Sequence, residues 1–169
     1  MKLSVVVPFY NEARNIPLVL AGFRKYSKQY EFELICVNNG SIDNSGQVFK
    51  RLLASRKYPF VQVIEIKKNR GYGHGIMTGI RRSTREVISW THADMQTDPG
   101  DVFRAYQYFE KLKDEKTIVK GNRIKRPIGP VLFSSGMAFI ASLALGKWLV
   151  EINAQPKMFH RNFIRYLKD

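Results

Sequence analysis

The chain has 169 residues, of which 44% are hydrophobic and 12% aromatic, and its 28 Lys and Arg against 14 Asp and Glu leave a formal net charge of +14. This composition excludes a disordered chain and predicts one globular domain with a sizeable core. A single cysteine, Cys36, excludes an internal disulfide framework, while the positive charge favours an anionic partner such as nucleic acid, an acidic membrane surface or a phosphorylated ligand.

Strand and helix patterns alternate along the chain. Short apolar runs predict five strands, over residues 3–7, 32–37, 61–66, 86–90 and 117–120, with Pro8 ending the first. Capping residues and prolines predict helices over residues 15–29, 44–56 and 99–115, and a further helix that follows a glycine-rich turn at 69–75 and runs through Arg85. The alternation predicts an α/β fold with a mainly parallel sheet and helices on both faces.

The first four predicted strands end in polar turns. These turns cover residues 8–12, 38–43, 69–75 and 91–98. Ligands of parallel sheets bind beyond the carboxyl ends of the strands, so the polar turns are expected on one ligand-binding rim.

The turn after the fourth strand carries His92, Asp94 and Gln96 at alternate positions. In an extended segment alternate side chains share a face, so an imidazole, a carboxylate and an amide oxygen could converge on one divalent cation. The alternative is an ordinary polar loop with a solvated histidine, in which Asp98 caps the next helix at Pro99.

The C-terminal part, from residue 121, is strongly basic and less regular. Residues 121–130 predict a basic loop, and residues 131–150 predict a helix that is buried or lies at a membrane interface, because prolines, glycines and serines interrupt the uncharged stretch at 127–146. No signal peptide is evident, and His160 is expected at the surface.

Three alternate glycines at 71, 73 and 75 invite comparison with dinucleotide-binding loops. That fingerprint requires its third glycine at position 76, which is Ile76 here, and it belongs to the first strand. A tight turn with close helix packing is the simpler interpretation.

Four of these segments, in this order and spacing, resemble the family 2 glycosyltransferases: residues 4–12, 38–43, 69–73 and 92–96. Residues 120–123 and 152–157 further resemble the dolichol-phosphate mannose synthase branch, which includes bacterial polyprenyl-phosphate sugar transferases. The resemblance covers almost the whole chain.

The resemblance implies a GT-A fold, which is Rossmann-like, with residues 1–120 binding the nucleotide-sugar and residues 121–169 on the acceptor side of one catalytic domain. It implies inverting transfer of a sugar from a UDP- or GDP-linked donor to an undecaprenyl or dolichyl phosphate, with Mg²⁺ or Mn²⁺. The protein would then be cytoplasmic and peripheral on the anionic inner face of the membrane, with no specific nucleic acid as partner.

The resemblance also assigns residues to roles. The expected nucleotide-sugar ligands are Pro8, Tyr10, Glu12, Asn38, Asn39, Gly40, Ser41, Gly71, Gly73, His92, Ala93 and Asp94. The expected metal ligands are His92, Asp94 and Gln96, the expected catalytic residues are Asp94, Gln96 and Arg123, and the expected ligands of the acceptor phosphate are Arg123, Arg126 and Lys157.

The sequence departs from the family pattern at several positions. Asn38 and Asn39 replace the usual pair of acids, His92 replaces the first acid of the metal motif, and the longer Glu151 displaces the acid commonly found before residues 153–157. Amides still hydrogen-bond a nucleobase edge, and imidazole still ligates Mn²⁺. The chain ends at Asp169, before later motifs of many relatives, so we expect a C-terminally truncated enzyme.

Two other functions are compatible with parts of the sequence. A transferase with a saccharide hydroxyl as acceptor, in cell-surface polysaccharide synthesis, would need a carboxylate base. A basic nucleic-acid-binding α/β module would use the net charge of +14, but the Lys and Arg residues are scattered and no aromatic-basic RNA signature is present.

Overall fold

The computed structural model describes residues 2–122, 140, 142–144, 146–148, 151 and 153–167. The strands in this part of the chain are β1 (Leu3–Phe9), β2 (Phe32–Asn39), β3 (Val61–Ile66), β4 (Val87–Trp90), β5 (Ile118–Lys120) and β6 (Lys157–His160). The helices are α1 (Ile16–Arg24), α2 (Ser45–Ala54), α3 (Tyr72–Arg82) and α4 (Pro99–Leu112), followed by a 3-10 helix at Arg161–Tyr166.

The strands form one sheet in the order β3-β2-β1-β4-β6-β5. β1 pairs in parallel with both β2 and β4, and β2 pairs in parallel with β3. β6 is antiparallel to both β4 and β5. The carboxyl ends of β1 to β5 therefore lie at one edge of the sheet, which we call the carboxyl edge, and β6 begins there.

Helices cover both faces of the sheet, as the alternation predicts. Every residue of β1 and β2 is buried, because successive side chains alternate between two cores. Val5, Val7 and Phe9 pack in the larger core with α1, α2 and α4. Val6 packs in the smaller core with α3, where a Cβ at Gly79 would lie 2.2 Å from Val6 Cγ1. A glycine is thus required for α3 to lie this close to β1.

Several predicted boundaries differ from the structure. β1 does not end at Pro8 but continues to Phe9, and β2 continues to Asn39. The Val6 carbonyl accepts a hydrogen bond from Thr91 N, so the backbone of Val6 faces β4. The backbone of Pro8, two residues later, faces the same way, but the pairing of β1 with β4 ends at Val6 and Trp90. The lack of an N–H at Pro8 therefore costs the sheet no hydrogen bond.

β6 is a strand that the sequence pattern did not predict. It ends at His160, which is half-buried, with Nδ1 3.5 Å from a Glu115 carboxylate oxygen, so the expectation of a surface histidine is wrong. The predicted basic loop and most of the helix over 131–150 lie outside the described residues. Within the described part of the chain, no helix combines the length and the apolar character needed to cross a membrane.

A buried carboxylate joins the strands at the edge opposite the carboxyl edge. Glu33 accepts hydrogen bonds from Ser4 Oγ at 2.6 Å, from the backbone N–H of Thr84 at 2.6 Å and from Gln62 Nε2 at 3.3 Å. Only 5% of Glu33 is exposed. It thus ties β1, β2, β3 and the segment before β4 together through charge-assisted bonds.

We predict that Glu33→Ala lowers the free energy of unfolding by about 2–3 kcal/mol, because the buried Ser4 hydroxyl and the backbone N–H of Thr84 lose their acceptor. Denaturant titration measures the change. Glu31→Ala is the control, since Glu31 is an exposed carboxylate that pairs with Lys2 Nζ at 2.7 Å at the same edge. Equal stability losses in the two variants would contradict the role of the Glu33 network.

Candidate functional site

A cavity of about 240 Å³ opens at the carboxyl edge. The ends of β1, β2 and β4 and the loop before α3 form its walls. The residues that line it are Pro8, Phe9, Tyr10, Glu12, Asn39, Asn69, Gly71, Tyr72, His92, Ala93 and Asp94. The structure therefore brings together residues from all four polar turns, which are far apart in sequence.

Most of the predicted donor-site residues lie in this lining. Pro8, Tyr10, Glu12, Asn39, Gly71, His92, Ala93 and Asp94 are all part of it. Asn38, Gly40, Ser41 and Gly73 are not. Three lining residues, Phe9, Asn69 and Tyr72, were not predicted, although Asn69 and Tyr72 belong to the glycine-rich segment at 69–73 and could have been assigned from it.

Ser41 and Gly40 do not line the cavity but connect the turns that do. The Ser41 hydroxyl accepts from Asn11 N at 3.0 Å, and Asn11 Oδ1 accepts from Ile42 N at 3.0 Å, so the loops after β1 and β2 hold each other. Gly40 has φ +71°, and a Cβ there would lie 2.3 Å from Asn69 N. The turn after β2 therefore packs directly against the turn after β3.

Asp43 adds a second bridge between the first two loops. Its carboxylate accepts from Ala13 N at 3.2 Å and from Ser45 N at 3.0 Å, where α2 begins. Burial opposes ionisation, but the hydrogen bonds from Ser45 and Ala13 outweigh it and lower the pKa of Asp43. The carboxylate that joins the loops after β1 and β2 is therefore ionised at neutral pH.

The end of β2 places two amides side by side. Asn38 and Asn39 are 4% and 3% exposed. Asn38 Nδ2 donates to Glu65 Oε2 at 2.7 Å, and Asn39 Nδ2 donates to the Gly71 carbonyl at 2.9 Å. Among the described residues neither side-chain oxygen has a hydrogen-bond partner.

Tyr72 and His92 form an aromatic pair in the cavity wall. Their rings stack with centroids 5.1 Å apart and planes 14° from parallel. Burial, and secondarily the charge of Asp94, raises the pKa of the Tyr72 hydroxyl. Tyr72 therefore stays protonated at neutral pH, and its ring packs face to face against the imidazole of His92.

The segment after β4 is bent and not extended, so its side chains do not alternate as predicted. Met95 has φ +61°, and Gln96 donates its backbone N–H to Asp94 Oδ1 at 3.0 Å. Gln96 itself is exposed and does not line the cavity, whereas His92 and Asp94 do. The predicted capping role of Asp98 is confirmed, since its Oδ1 accepts from Gly100 N at 2.6 Å.

The described residues contain no group of three or more His, Cys, Asp or Glu side chains that could hold a metal ion. Asp94, His92 and Glu12 nevertheless line one cavity. The two carboxylates in this cavity, Asp94 and Glu12, fit a cation such as Mg²⁺, which proteins usually bind through one or two carboxylates together with phosphate oxygens of the substrate.

The predicted acceptor residues lie partly outside the described structure. Arg123 and Arg126 are not among the described residues. Lys157 begins β6 at the carboxyl edge, where its Nζ lies 5.4 Å from the centroid of the Trp90 ring. It does not line the donor cavity.

A second cavity of about 240 Å³ lies at the same edge, beside the start of α4. Its walls include Asp101, Lys120, Asn122 and Gln155. Gly121 N donates to the Pro156 carbonyl at 2.7 Å, so the two segments that carry the resemblance to the polyprenyl-phosphate branch meet here.

Comparison with known proteins identifies relatives over nearly the whole chain. The model of the family described as Glycosyl transferase family 2 matches residues 4–167. An undecaprenyl-phosphate 4-deoxy-4-formamido-L-arabinose transferase of Photorhabdus laumondii is 34% identical over 126 residues, which cover 72% of this chain and 38% of that protein. The protein of the same name from Pectobacterium atrosepticum is 27% identical over 168 residues, 96% of this chain and 50% of that protein. The chain thus spans half or less of these relatives.

Solved structures share the fold. A mannosyltransferase of Pyrobaculum calidifontis, in complex with GDP-Man and Mn²⁺, superposes with a TM-score of 0.67 at 23% identity and covers 97% of this chain and 46% of that chain. Glucosyl-3-phosphoglycerate synthase of Mycobacterium tuberculosis, in complex with Mn²⁺, UDP and glucosyl-3-phosphoglycerate, superposes with a TM-score of 0.73 at 19% identity and covers 98% of this chain and 59% of that chain. The predicted GT-A fold is confirmed.

We predict that Gly40→Ala lowers the free energy of unfolding by at least about 2 kcal/mol, because an L-residue is strained at positive φ and the added Cβ meets the backbone at Asn69. Gly73→Ala is the matched control. A Cβ at Gly73 meets nothing within 4 Å, and alanine favours the helix by up to about 1 kcal/mol. Thermal unfolding measures both, and similar shifts would refute the packing of the two turns.

Proposed function

We propose that this chain, which belongs to glycosyl transferase family 2, is the donor-binding catalytic part of an inverting glycosyltransferase that moves a sugar from a nucleoside diphosphate to a polyprenyl phosphate. The observation that carries the proposal is the cavity at the carboxyl edge, which gathers Pro8, Tyr10, Glu12, Asn39 and Asp94. Relatives named undecaprenyl-phosphate sugar transferases support the acceptor.

The charge of the cavity supports a metal-assisted donor site. Among the described residues its lining contains two carboxylates, Glu12 and Asp94, and no Lys or Arg. A nucleoside diphosphate would meet net negative charge there, so its binding requires a counter-cation. Bound Mg²⁺ or Mn²⁺ would neutralise the charge that develops on the departing diphosphate.

Different residues of the cavity would bind the cation, the diphosphate and the nucleoside. Asp94 would hold the cation together with the diphosphate, and the bend at Met95 keeps its carboxylate in place through the Gln96 N–H. His92, which stacks on Tyr72, would contact the diphosphate or the cation. Tyr10 and Asn39 would receive the nucleoside.

A polyprenyl phosphate needs little activation as a nucleophile. Its oxygen is largely anionic near neutral pH, because the second pKa of a phosphate monoester is about 6. No general base is then required, and Arg123, Arg126 and Lys157 would orient and neutralise the phosphate. The protein would act at the cytoplasmic, anionic face of the membrane, with residues 121–169 on the acceptor side.

We predict that the protein binds UDP or GDP in the presence of Mn²⁺ or Mg²⁺ and that chelation of the metal abolishes the binding, because the described lining of the cavity supplies no cationic side chain of its own. Isothermal titration calorimetry with each nucleotide measures this. Metal-independent binding of equal strength would contradict the donor site as proposed, and selection of a nucleic-acid sequence in its place would favour a nucleic-acid-binding module.

Asp94→Ala is expected to abolish the metal-dependent part of nucleotide affinity, since it removes the carboxylate that would share the cation with the diphosphate. The control is Asp101→Ala, because Asp101 pairs with Arg104 in α4 and lies outside the donor cavity. Unchanged nucleotide affinity in the Asp94 variant would show that Asp94 does not hold the cation.

Arg123→Ala is expected to leave nucleotide affinity unchanged and to reduce sugar transfer to polyprenyl phosphate, because the residue would contact only the acceptor. Transfer of radiolabelled sugar to undecaprenyl phosphate, compared with transfer to an oligosaccharide, measures the effect. Transfer of sugar to the oligosaccharide and not to undecaprenyl phosphate would contradict the lipid phosphate as acceptor and would favour a hydroxyl acceptor.

A further inference from the structure

We propose that the turns after β2 and β3 bind the surface of an anionic lipid bilayer, with the side chain of Ile42 inserted among the lipid headgroups. We call residues 41–43 and 67–70 the membrane-contact surface. It lies in the donor-binding part of the chain, apart from residues 121–169. The proposal deepens the proposed function and rests on it in one respect, since a lipid acceptor requires the donor cavity to open beside a bilayer.

Ile42 is the most exposed of the large hydrophobic side chains that the structure describes, with 86% of it exposed. Hydrogen bonds hold its loop in place. The backbone N–H of Ile42 donates to Asn11 Oδ1 at 3.0 Å, the hydroxyl of Ser41 accepts from Asn11 N, and the carboxylate of Asp43 accepts from Ala13 N at 3.2 Å. The loop therefore presents an isoleucine to solvent, and contact with a bilayer would supply the burial that the fold does not.

Three cations lie on the neighbouring turn. Lys67, Lys68 and Arg70 are exposed, and within the described part of the chain none of them forms an ion pair. Their turn packs against the turn of Ile42, since a Cβ at Gly40 would lie 2.5 Å from the carbonyl carbon of Lys68. An apolar side chain and a cluster of cations are thus carried by two turns in contact.

Exposed apolar side chains distinguish the two edges of the sheet. The turns at the carboxyl edge and the first helical turns that follow them carry Tyr10, Leu18, Ile42, Tyr72 and Met95, all exposed. The turns that join α1 to β2, α2 to β3 and α3 to β4 at the opposite edge carry no exposed large hydrophobic side chain. Apolar exposure is therefore concentrated at the edge where the donor cavity opens.

An anionic bilayer matches both kinds of side chain. The negative surface potential of the leaflet attracts Lys and Arg, and an apolar side chain at the same place enters the boundary between headgroups and acyl chains. A nucleic acid would bind the cations through its phosphates, but its bases stack on aromatic rings and offer Ile42 no equivalent partner. The combination of side chains therefore favours a lipid surface.

The membrane-contact surface and the donor cavity share their turns. Asn11, which holds Ile42, directly follows Tyr10 of the cavity lining, and Asn69 of the second turn is itself a lining residue. Contact of this surface with a bilayer would hold the cavity beside the headgroups. A polyprenyl phosphate presents its phosphate at that level, so the acceptor would reach the donor without leaving the bilayer.

A fluorescent label at position 42 tests the insertion directly. Cys36 is the one cysteine of the chain and is buried, so an environment-sensitive dye reacts with the introduced thiol in Ile42→Cys. Labelled Leu112→Cys is the control, because Leu112 is an exposed apolar residue in the last turn of α4. Each protein is titrated with vesicles of two parts phosphatidylcholine to one part phosphatidylglycerol, and with vesicles of phosphatidylcholine alone.

We expect the emission of the dye at position 42 to shift to the blue on the anionic vesicles, because the dye enters the headgroup region. The shift should fall as salt is added, since salt screens the attraction of the cations. The dye at position 112 should keep its emission in both kinds of vesicle.

Vesicle sedimentation of further variants separates the contributions of the surface. Ile42→Ser and Lys67→Ala/Lys68→Ala should each weaken binding to the anionic vesicles about tenfold, the equivalent of about 1.4 kcal/mol. The control Lys28→Ala/Lys57→Ala, which removes two exposed lysines at the opposite edge, should leave vesicle binding unchanged. Calorimetry should find the same nucleotide affinity in all three variants, because none of these residues lines the donor cavity.

Absence of binding to the anionic vesicles, binding without a blue shift at position 42, or equal weakening by the two lysine pairs would overturn the membrane-contact surface. So would binding of a duplex DNA oligonucleotide that displaces the vesicles and that Ile42→Ser leaves unchanged. The vesicle measurements need no nucleotide, so failure of the parent protein to bind UDP or GDP with metal would overturn the proposed function alone.

Discussion

Parallel pairing of β1 with both β2 and β4 determines where every polar side chain of the site can lie. The pairing places three buried strands side by side with their carboxyl ends at one edge, so each following turn must leave the sheet there. The hydrogen bonds of Glu33 hold the same strands at the opposite edge. The hydrogen bonds of Glu33 thus stabilise the strands at one end, and the cavity lies at their carboxyl ends. Residues that stabilise the sheet and residues that line the cavity therefore lie at opposite ends of the strands.

The distribution of charge follows from the same topology. Helices that connect parallel strands run back against them, so their last turns lie away from the cavity. These turns carry Arg24, Arg51, Arg81, Arg82 and Lys111, where cations compensate the helix dipole. Part of the net charge of +14 therefore stabilises helix ends, and the described lining of the cavity contains carboxylates and amides without Lys or Arg.

The sequence predicted the parallel sheet, the helices on both faces and most of the cavity lining, because apolar runs and the turns between them are local signals. It did not predict β6, since Lys157–His160 is short and gains its place only by pairing with β4 and β5. The extended conformation predicted for the segment that carries His92, Asp94 and Gln96 is wrong, because the left-handed backbone at Met95 bends it. The orientation of Asn38 depends on Glu65, which is 27 residues away in sequence.

β5 has a consequence for the order in which the chain is made. Its described partner in the sheet is β6, so Ile118–Lys120 leaves the ribosome well before the strand that secures it. The strands β1 to β4 are neighbours in the sheet, and α4, whose Val102, Phe103 and Phe109 complete the larger core, follows them in the chain and precedes β5. Vectorial synthesis would therefore complete the donor cavity first and add the neighbouring cavity, with Gly121 and Pro156, only when β6 inserts between β4 and β5.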